Sequence, residues 1–262
     1  MVILGTSTHQ GLDIDPSNGI MRCIPVLQLP LEGVVMRRVF SLLRVSFIAT
    51  AVVLGGLVIT GLLGMSAYQQ HLDDGLDSSY DTYSSMVALN DGLAVIYLLP
   101  LIAGFVALIM WTRKAFRVSE TVAVTQFERK YSRGMAVGGW FIPIGNLFVP
   151  KRVISEIEQI TAIGADPAKA GFSFKSQPLL AIGTWWWGLW VSSRLIDRAA
   201  LSVASETDAD GFLTADAYYQ STSLSIAANL AAIASIVLGL MYLGMINRNV
   251  ESIERINQTK VS

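Results

Sequence analysis

The sequence predicts an all-α, polytopic membrane protein with four transmembrane helices and one re-entrant or interfacial segment on the cytoplasmic side. Hydrophobic residues make up 52% of the 262-residue chain and charged residues only 15%, against about 25% charged in soluble domains. Uncharged stretches recur at the length of about 20 residues that a bilayer requires. Lys and Arg are absent from two of the segments between these stretches, and this absence orients the chain.

Four stretches are apolar and long enough to cross a bilayer core of about 30 Å. They are residues 45–67, 93–110, 179–199 and 224–246. Pro100 interrupts the second stretch, which membrane helices tolerate. The spans and their connections form a predicted membrane domain at 37–247, followed by a cytoplasmic tail at 248–262.

The first 36 residues are predicted to form a flexible cytoplasmic arm. They contain no compact apolar run followed by a small-residue cleavage site, so we do not expect a cleavable signal peptide. Met21 and Met36 are alternatives to Met1 as the start of the chain.

A fifth apolar stretch, residues 134–150, decides the topology because it is short and interrupted by Gly and Pro. If it does not cross, all Lys and Arg residues except Arg194 and Arg198 lie on the cytoplasmic side. The external loops, 68–92 and 201–223, then hold acidic residues and no basic ones. Because this distribution follows the positive-inside rule, we expect a cell-membrane protein with both termini in the cytoplasm.

The fifth stretch should therefore enter and leave on the cytoplasmic side. Non-helical backbone within a membrane must be buried in protein or face water, so the segment is expected to lean on the helix bundle. The residues that follow, 151–163, place Val153 and Ile157 on one helical face and Glu156 on another. That pattern favours an amphipathic helix lying on the inner surface.

Motifs around this stretch resemble a known family. They read Trp111-Thr-Arg113, then Gly138-Gly-Trp140-Phe-Ile-Pro143, then Asn146-Leu-Phe-Val-Pro150, and a Trp-rich third span follows. The order is similar to that of a bacterial membrane-protein family catalogued as domain of unknown function 4328. The resemblance covers Val45 to Ile246 and implies a four-helix membrane domain. It implies no activity.

The broken segment supplies the first candidate functional residues: Trp140, Pro143, Asn146 and Pro150. Unwound backbone and the Asn146 amide can bind an ion or a small polar solute, as broken helices do in transporters. The alternative is structural: Gly and Pro make the turn, Trp140 anchors at the interface, and Asn146 satisfies freed backbone groups.

The third span supplies the others. Trp186 lies too deep for an interfacial aromatic belt, so it should pack on other protein segments, a slot for a hydrophobic ligand, lipid or quinone being the alternative. Arg194 and Asp197 are ionisable residues inside a span, which makes them candidates. Arg194 is expected to snorkel to the outer surface with Asp197 as its local partner, and a buried charged site is the alternative.

Small residues recur every four positions in the spans, for example Gly188 and Ser192 in the third and Ala227, Ala231, Ser235 and Gly239 in the fourth. Such stripes allow close helix packing in lipid. Packing within the chain is the first interpretation, and a homo-oligomer is the second.

Several function classes lack support. The single cysteine, Cys23, and two distant histidines, His9 and His71, provide no metal-ligand or cofactor set. No catalytic motif is present and no basic balance indicates nucleic acid. We therefore expect a non-enzymatic membrane component, embedded in the lipid bilayer, that contacts a protein partner or lipid at its cytoplasmic face. The alternative is small-solute or ion transport through the segment Trp140–Pro150.

Overall fold

The computed structural model describes residues 12–14, 21–23, 29–122, 129–142, 145–166, 178–205 and 214–259, with side chains from Met36 onward except at 178–180. The helices are α1 (Leu29–Asp74), α2 (Asp77–Glu120), α3 (Arg133–Gly138), α4 (Val149–Ala165), α5 (Pro178–Val203) and α6 (Ala215–Thr259). Two short strands, β1 (Leu12–Ile14) and β2 (Met21–Cys23), pair antiparallel, and a 3-10 turn covers Gly145–Leu147. The predicted all-α fold class is confirmed.

Three helices are long and apolar enough to cross a membrane: α1 from Met36, α2 and α6. They contain the first, second and fourth predicted spans. The third predicted span lies in α5, which has 26 residues. This helix carries four tryptophans together with Arg194, Asp197 and Arg198, and it is not among the three helices that meet the length and composition of a span.

The long helices extend beyond the predicted spans. Gly75 and Leu76 alone separate α1 from α2, so residues 68–92 form a helical hairpin and not the predicted loop. Gly75 adopts φ +62°, a left-handed conformation that favours glycine. The polar residues on either side contain no proline, and the helices can therefore continue through them. At the other end, α1 begins inside the predicted arm and α6 runs through the predicted tail to Thr259.

The main hydrophobic core lies where α1 begins, α2 ends and α6 ends. Its fully buried members include Met36, Leu43, Trp111, Phe116, Ile154, Ile157, Leu243 and Ile246. Within it the Trp111 Nε1 donates to the Asn247 Oδ1 at 3.0 Å, so that a buried indole N–H and a buried amide satisfy each other. Tyrosine rings join the opposite end, where Tyr68 lies 4.8 Å from Tyr218 and 5.0 Å from Tyr83 between ring centroids.

The interpretation of α4 as a surface helix was wrong. Val153 and Ile157 are buried as expected, but Glu156, assigned to the polar face, is only 5% exposed. The helix contacts α2, α3, α5 and α6, and is therefore covered on more than one side. The Glu156 Oε2 accepts a hydrogen bond from the Lys130 N–H at 3.2 Å, which helps to stabilise a carboxylate on a face that the sequence pattern left to solvent.

Two glycines let α5 and α6 approach closely. A Cβ atom on Gly239 of α6 would lie 2.6 Å from the Trp186 Nε1 of α5, and one on Gly183 of α5 would lie 2.6 Å from the Tyr242 ring of α6. Each helix thus offers a glycine to an aromatic ring of the other. Part of the predicted small-residue stripe is used within the chain in this way. Gly188 and Ala227 remain exposed, and a homo-oligomer through them stays a prediction.

Replacing Gly239 with alanine should destabilise the protein, because the new methyl group overlaps the Trp186 indole. Overpacking of this kind costs about 1–3 kcal/mol. The measurement is the melting temperature and the free energy of unfolding in a mild detergent. Gly188→Ala is the matched control, since no side chain lies within 4 Å of a Cβ there. Equal stability of the two variants would contradict the proposed packing.

Candidate functional site

Tryptophans of α5 anchor the segment between α3 and α4. The Trp187 Nε1 donates to the Leu147 carbonyl oxygen at 2.6 Å. The Trp187 ring lies edge-on to Trp140 at 6.2 Å between centroids, and Trp140 lies edge-on to Phe105 of α2 at 5.6 Å. The broken segment therefore leans on the bundle, as the sequence predicted, and joins α2 to α5.

Trp186 packs against α6 and not against the broken segment. It is 4% exposed and lies beside Tyr242, with a centroid distance of 5.7 Å. The Ser235 Oγ donates to the Trp186 carbonyl oxygen at 3.1 Å. By contrast Trp185 is 68% exposed. The four neighbouring tryptophans thus divide between protein packing and an outward face.

The other candidates of the broken segment differ in their surroundings. The Trp140 Nε1 and the Asn146 Oδ1 are buried and have no hydrogen-bond partner in the described part of the chain. Pro150 is buried in the first turn of α4, where a missing N–H has no cost. Pro143 lies outside the described residues. Trp140, Asn146 and Pro150 therefore all belong to the broken segment. Two of its buried polar atoms, the Trp140 Nε1 and the Asn146 Oδ1, have no described hydrogen-bond partner.

A polar cluster in α4 was not predicted. The Tyr242 hydroxyl donates to the Glu158 Oε2 at 2.5 Å, and Glu158 is 3% exposed. Burial raises the pKa of Glu158, while the Tyr242 hydrogen bond and the Lys151 charge oppose that rise. Burial also lowers the pKa of the Lys151 ammonium group, against the attraction of Glu158. The sequence showed a glutamate in a helical pattern but not the phenol that α6 brings to it.

An arginine-lined recess lies where α2 meets α3. It encloses about 280 Å³, and its lining includes Arg113, Arg117, Arg133 and Phe116. The Arg133 Nε donates to both Glu120 carboxylate oxygens, at 2.6 and 2.8 Å. Among the described residues, no carboxylate forms an ion pair with Arg113 or Arg117. We call this feature the arginine recess.

Arg129 contributes beside the recess without lining it. Its guanidinium group donates to the carbonyl oxygen and the hydroxyl oxygen of Ser119 near the end of α2. It also lies over the Phe116 ring at 5.8 Å from the centroid, a distance typical of a cation–π contact. The end of α2 is thereby tied to the chain that leads into α3.

Arg194 and Asp197 face the interior of the bundle. Both line a cavity of about 440 Å³ between α1, α2, α5 and α6, which we call the interhelical cavity. The Arg194 Nη2 donates to the Tyr97 hydroxyl oxygen of α2 at 2.9 Å. The expected ion pair with Asp197 is absent among the described residues. Arg194 therefore has a phenol on a neighbouring helix as its partner in place of the predicted Asp197, and its snorkelling toward the outer surface stays a prediction.

No group of three or more His, Cys, Asp and Glu side chains suited to a metal ion occurs within the described ranges. The protein is thus helical, with helices apolar enough for a membrane, and it has two polar sites, the arginine recess and the interhelical cavity. Its polar sites lie at opposite ends of the bundle.

The chain belongs to a family described as Domain of unknown function (DUF4328), whose model matches residues 74–248. The match runs from the end of α1 to the last third of α6, and includes every candidate residue named above. No curated protein and no solved structure matches the chain.

Glu158 should make stability depend on pH. Glu158 has a raised pKa in the folded protein, so its ionisation does not affect stability at acid pH, where the group is protonated in both the folded and the unfolded state. The cost of burying the carboxylate appears as the pH rises above the ordinary value of 4.5 and through the raised pKa. Glu158→Gln should abolish this loss and keep an acceptor for Tyr242. Glu158→Ala should cost about 1–3 kcal/mol, because the Tyr242 hydroxyl loses its acceptor.

The measurement is the melting temperature in detergent from acid to neutral pH. Asp81→Asn, at an exposed position, is the matched control for removal of one carboxylate. If Glu158→Gln and the parent protein lose stability in parallel as the pH rises, the assignment of this pH dependence to Glu158 is wrong.

Proposed function

We propose that this protein is a non-enzymatic, four-span membrane protein of the cell membrane that binds anionic lipid headgroups at its cytoplasmic face. The arginine recess is the observation that carries the proposal. Two of its arginines have no ion-pair partner among the described residues. Guanidinium groups bind phosphate in a forked, bidentate geometry.

A fourth span in α5 is supported by its length and packing. Its 26 residues extend about 39 Å at 1.5 Å per residue, more than the bilayer core. It packs along α6, which is itself apolar enough to span. Leu195 and Leu201 are more than 60% exposed on its outer half, as expected of residues that face lipid.

Charge supports the orientation. Because the long helices alternate in direction, the start of α1 and the end of α2 share one end of the bundle. Exposed arginines cluster there, including Arg37, Arg38, Arg113 and Arg117. The opposite end carries Asp73, Asp74, Asp77 and Asp81. The positive-inside rule then assigns the arginine end to the cytoplasm.

Apolar side chains near the recess support an interfacial position. Phe141 is 67% exposed, and Met135 and Phe148 are exposed as well. All three lie in α3, which lines the recess, or in the segment between α3 and α4. Arginines that bind headgroups, next to aromatic rings that enter the acyl boundary, are the usual composition of an interfacial segment. A protein partner on the same face is the competing hypothesis.

Transport through Trp140–Pro150 has less support. The buried Asn146 Oδ1 without a described donor favours an ion or solute there. However, Trp140 is buried between Phe105 and Trp187, where a permeating solute would need space. We therefore prefer lipid binding.

The topology is tested by thiol labelling of intact cells with an impermeant reagent. In a Cys23→Ser background, Asp81→Cys and Ser205→Cys should react, because both positions would lie outside. Asp166→Cys should not react until the cells are opened. Labelling at Asp166 in intact cells would reverse the orientation, and protection at Ser205 would remove the span assigned to α5.

Lipid binding is tested with the double variant Arg113→Gln, Arg117→Gln. Each arginine near an anionic surface contributes about 1 kcal/mol. The rise in melting temperature that phosphatidylglycerol produces in detergent, relative to phosphatidylcholine, should therefore fall clearly in the variant.

The matched control is Arg37→Gln, Arg38→Gln, which removes the same charge from exposed positions outside the recess. Equal losses in the two double variants would mean that general charge, and not the recess, attracts the lipid. A protein that co-purifies with the parent and is lost only from the recess variant would instead favour the partner hypothesis.

A further inference from the structure

The interhelical cavity holds two opposite charges that do not neutralise each other. Arg194 and Asp197 of α5 both line it, one helical turn apart. Arg194 donates to the neutral Tyr97 hydroxyl group. Asp197 forms no ion pair with any described residue. Ionisable side chains inside a membrane bundle are costly and are retained where a ligand or pathway uses them.

Uncharged polar groups extend the same wall. Asn90 of α2 accepts from the Thr60 Oγ1 of α1 at 2.9 Å, which leaves the Asn90 amide nitrogen available as a donor. Asn229 and Ser225 of α6 line the cavity as well. Each of α1, α2, α5 and α6 thus contributes a polar group to a space of about 440 Å³. This volume is within the range of small-molecule sites.

An apolar cleft adjoins this cavity. It has a volume of about 90 Å³ and is lined mainly by aromatic and aliphatic side chains, among them Leu101, Phe105, Trp187 and Trp190. The cleft and the cavity share four lining residues, Leu54, Tyr97, Arg194 and Ala232, so the two spaces adjoin at Arg194. We call this second space the aromatic cleft.

Both spaces border the seam between α2 and α5. Helix α1 packs against α2 and α6, and α5 packs against α6, whereas α2 and α5 meet mainly through side chains such as Tyr97 and Arg194. Ile102 and Leu195 are exposed apolar residues on α2 and α5, the two helices that border this seam. The seam between α2 and α5 is therefore the side of the cavity with the least direct helix packing.

We propose that the interhelical cavity and the aromatic cleft bind one zwitterionic amphiphile. Its acidic group, a phosphate or carboxylate, contacts Arg194, its ammonium group contacts Asp197, and its hydrocarbon chain lies against Trp187 and Trp190. A purely anionic ligand would leave Asp197 without a positive partner, and a purely cationic ligand would leave Arg194 without a negative one. A soluble zwitterion would use the cavity but leave the cleft without a role.

This site is separate from the arginine recess and depends only on the cavity and on α5 lying in the membrane. The test uses the full-length chain in an uncharged sugar detergent. The probes are dihexanoyl phosphatidylethanolamine, dihexanoyl phosphatidylglycerol and free phosphoethanolamine, with dissociation constants from calorimetry. All titrations are repeated with Arg113→Gln, Arg117→Gln in place, so that lipid bound at the arginine recess does not contribute.

The expected result is saturable binding of the phosphatidylethanolamine. Phosphatidylglycerol should bind about tenfold more weakly, as expected for loss of one charge-assisted contact. Free phosphoethanolamine should also bind more weakly, because it has no hydrocarbon chain to bury. Arg194→Gln should weaken phosphatidylethanolamine binding by a similar factor. Asp197→Asn should weaken it but spare or improve phosphatidylglycerol. Trp190→Ala should weaken the lipid and leave free phosphoethanolamine unchanged.

Matched controls lie on the same helix. Arg198 and Trp185 are exposed and line neither space, so Arg198→Gln and Trp185→Ala should bind like the parent. Asp197 makes no described ion pair, and Asp197→Asn should therefore fold normally even if Arg194→Gln does not. The ratio of phosphatidylethanolamine to phosphatidylglycerol affinity in Asp197→Asn is then decisive.

Three results would overturn the proposal. The first is equal affinity for the two lipids in the parent protein, and the second is an unchanged affinity ratio in Asp197→Asn. The third is free phosphoethanolamine binding as tightly as the lipid, which would assign the cavity to a soluble zwitterion. None of these results bears on the arginine recess, whose test uses other residues.

Discussion

The reciprocal contact of glycine and aromatic rings between α5 and α6 is the constraint on which the bundle depends. Gly239 receives Trp186 and Gly183 receives Tyr242, and neither position has space for a methyl group. Helices that approach this closely gain dispersion contacts, which matter in lipid because burial of apolar surface gives no advantage there. Since α6 also packs on α1 and α1 packs on α2, α5 is held beside α2 without packing closely against it. The seam between α2 and α5, with both of its spaces, follows from that arrangement.

Tryptophans close this seam at one end only. Trp187 reaches the Leu147 carbonyl oxygen and the Trp140 ring, and Trp140 reaches Phe105 of α2. The broken segment is thus a bridge between helices that do not pack directly. At the other end the hydrogen bond from the Arg194 guanidinium group to the Tyr97 hydroxyl oxygen connects α5 to α2. The seam thus has an aromatic end at the broken segment and a polar end at Arg194 and Asp197.

The sequence predicted those parts of the fold that depend on the composition of one segment. Three spans were recognisable as continuous apolar stretches, and Arg194 and Asp197 were recognisable as charges inside a span. It could not predict where these charges point, because the partner of Arg194 is Tyr97, a residue on another helix. The same limit explains α4. A glutamate at a polar helical position is taken for a surface residue until Lys130 and Tyr242, brought from elsewhere in the chain, give Glu156 and Glu158 their partners.

The two ends of the bundle place opposite demands on their charged residues. At the arginine recess, exposed guanidinium groups are hydrated and lose little when no ligand is present. In the interhelical cavity, half-buried Arg194 and Asp197 lie in a less polar environment, where an unpaired charge is more costly. An ion pair between them would relieve that cost, and their spacing on α5 permits one. The structure instead directs Arg194 to Tyr97 and keeps both charges open to the same space. A ligand carrying both charges would provide the relief that the pair does not.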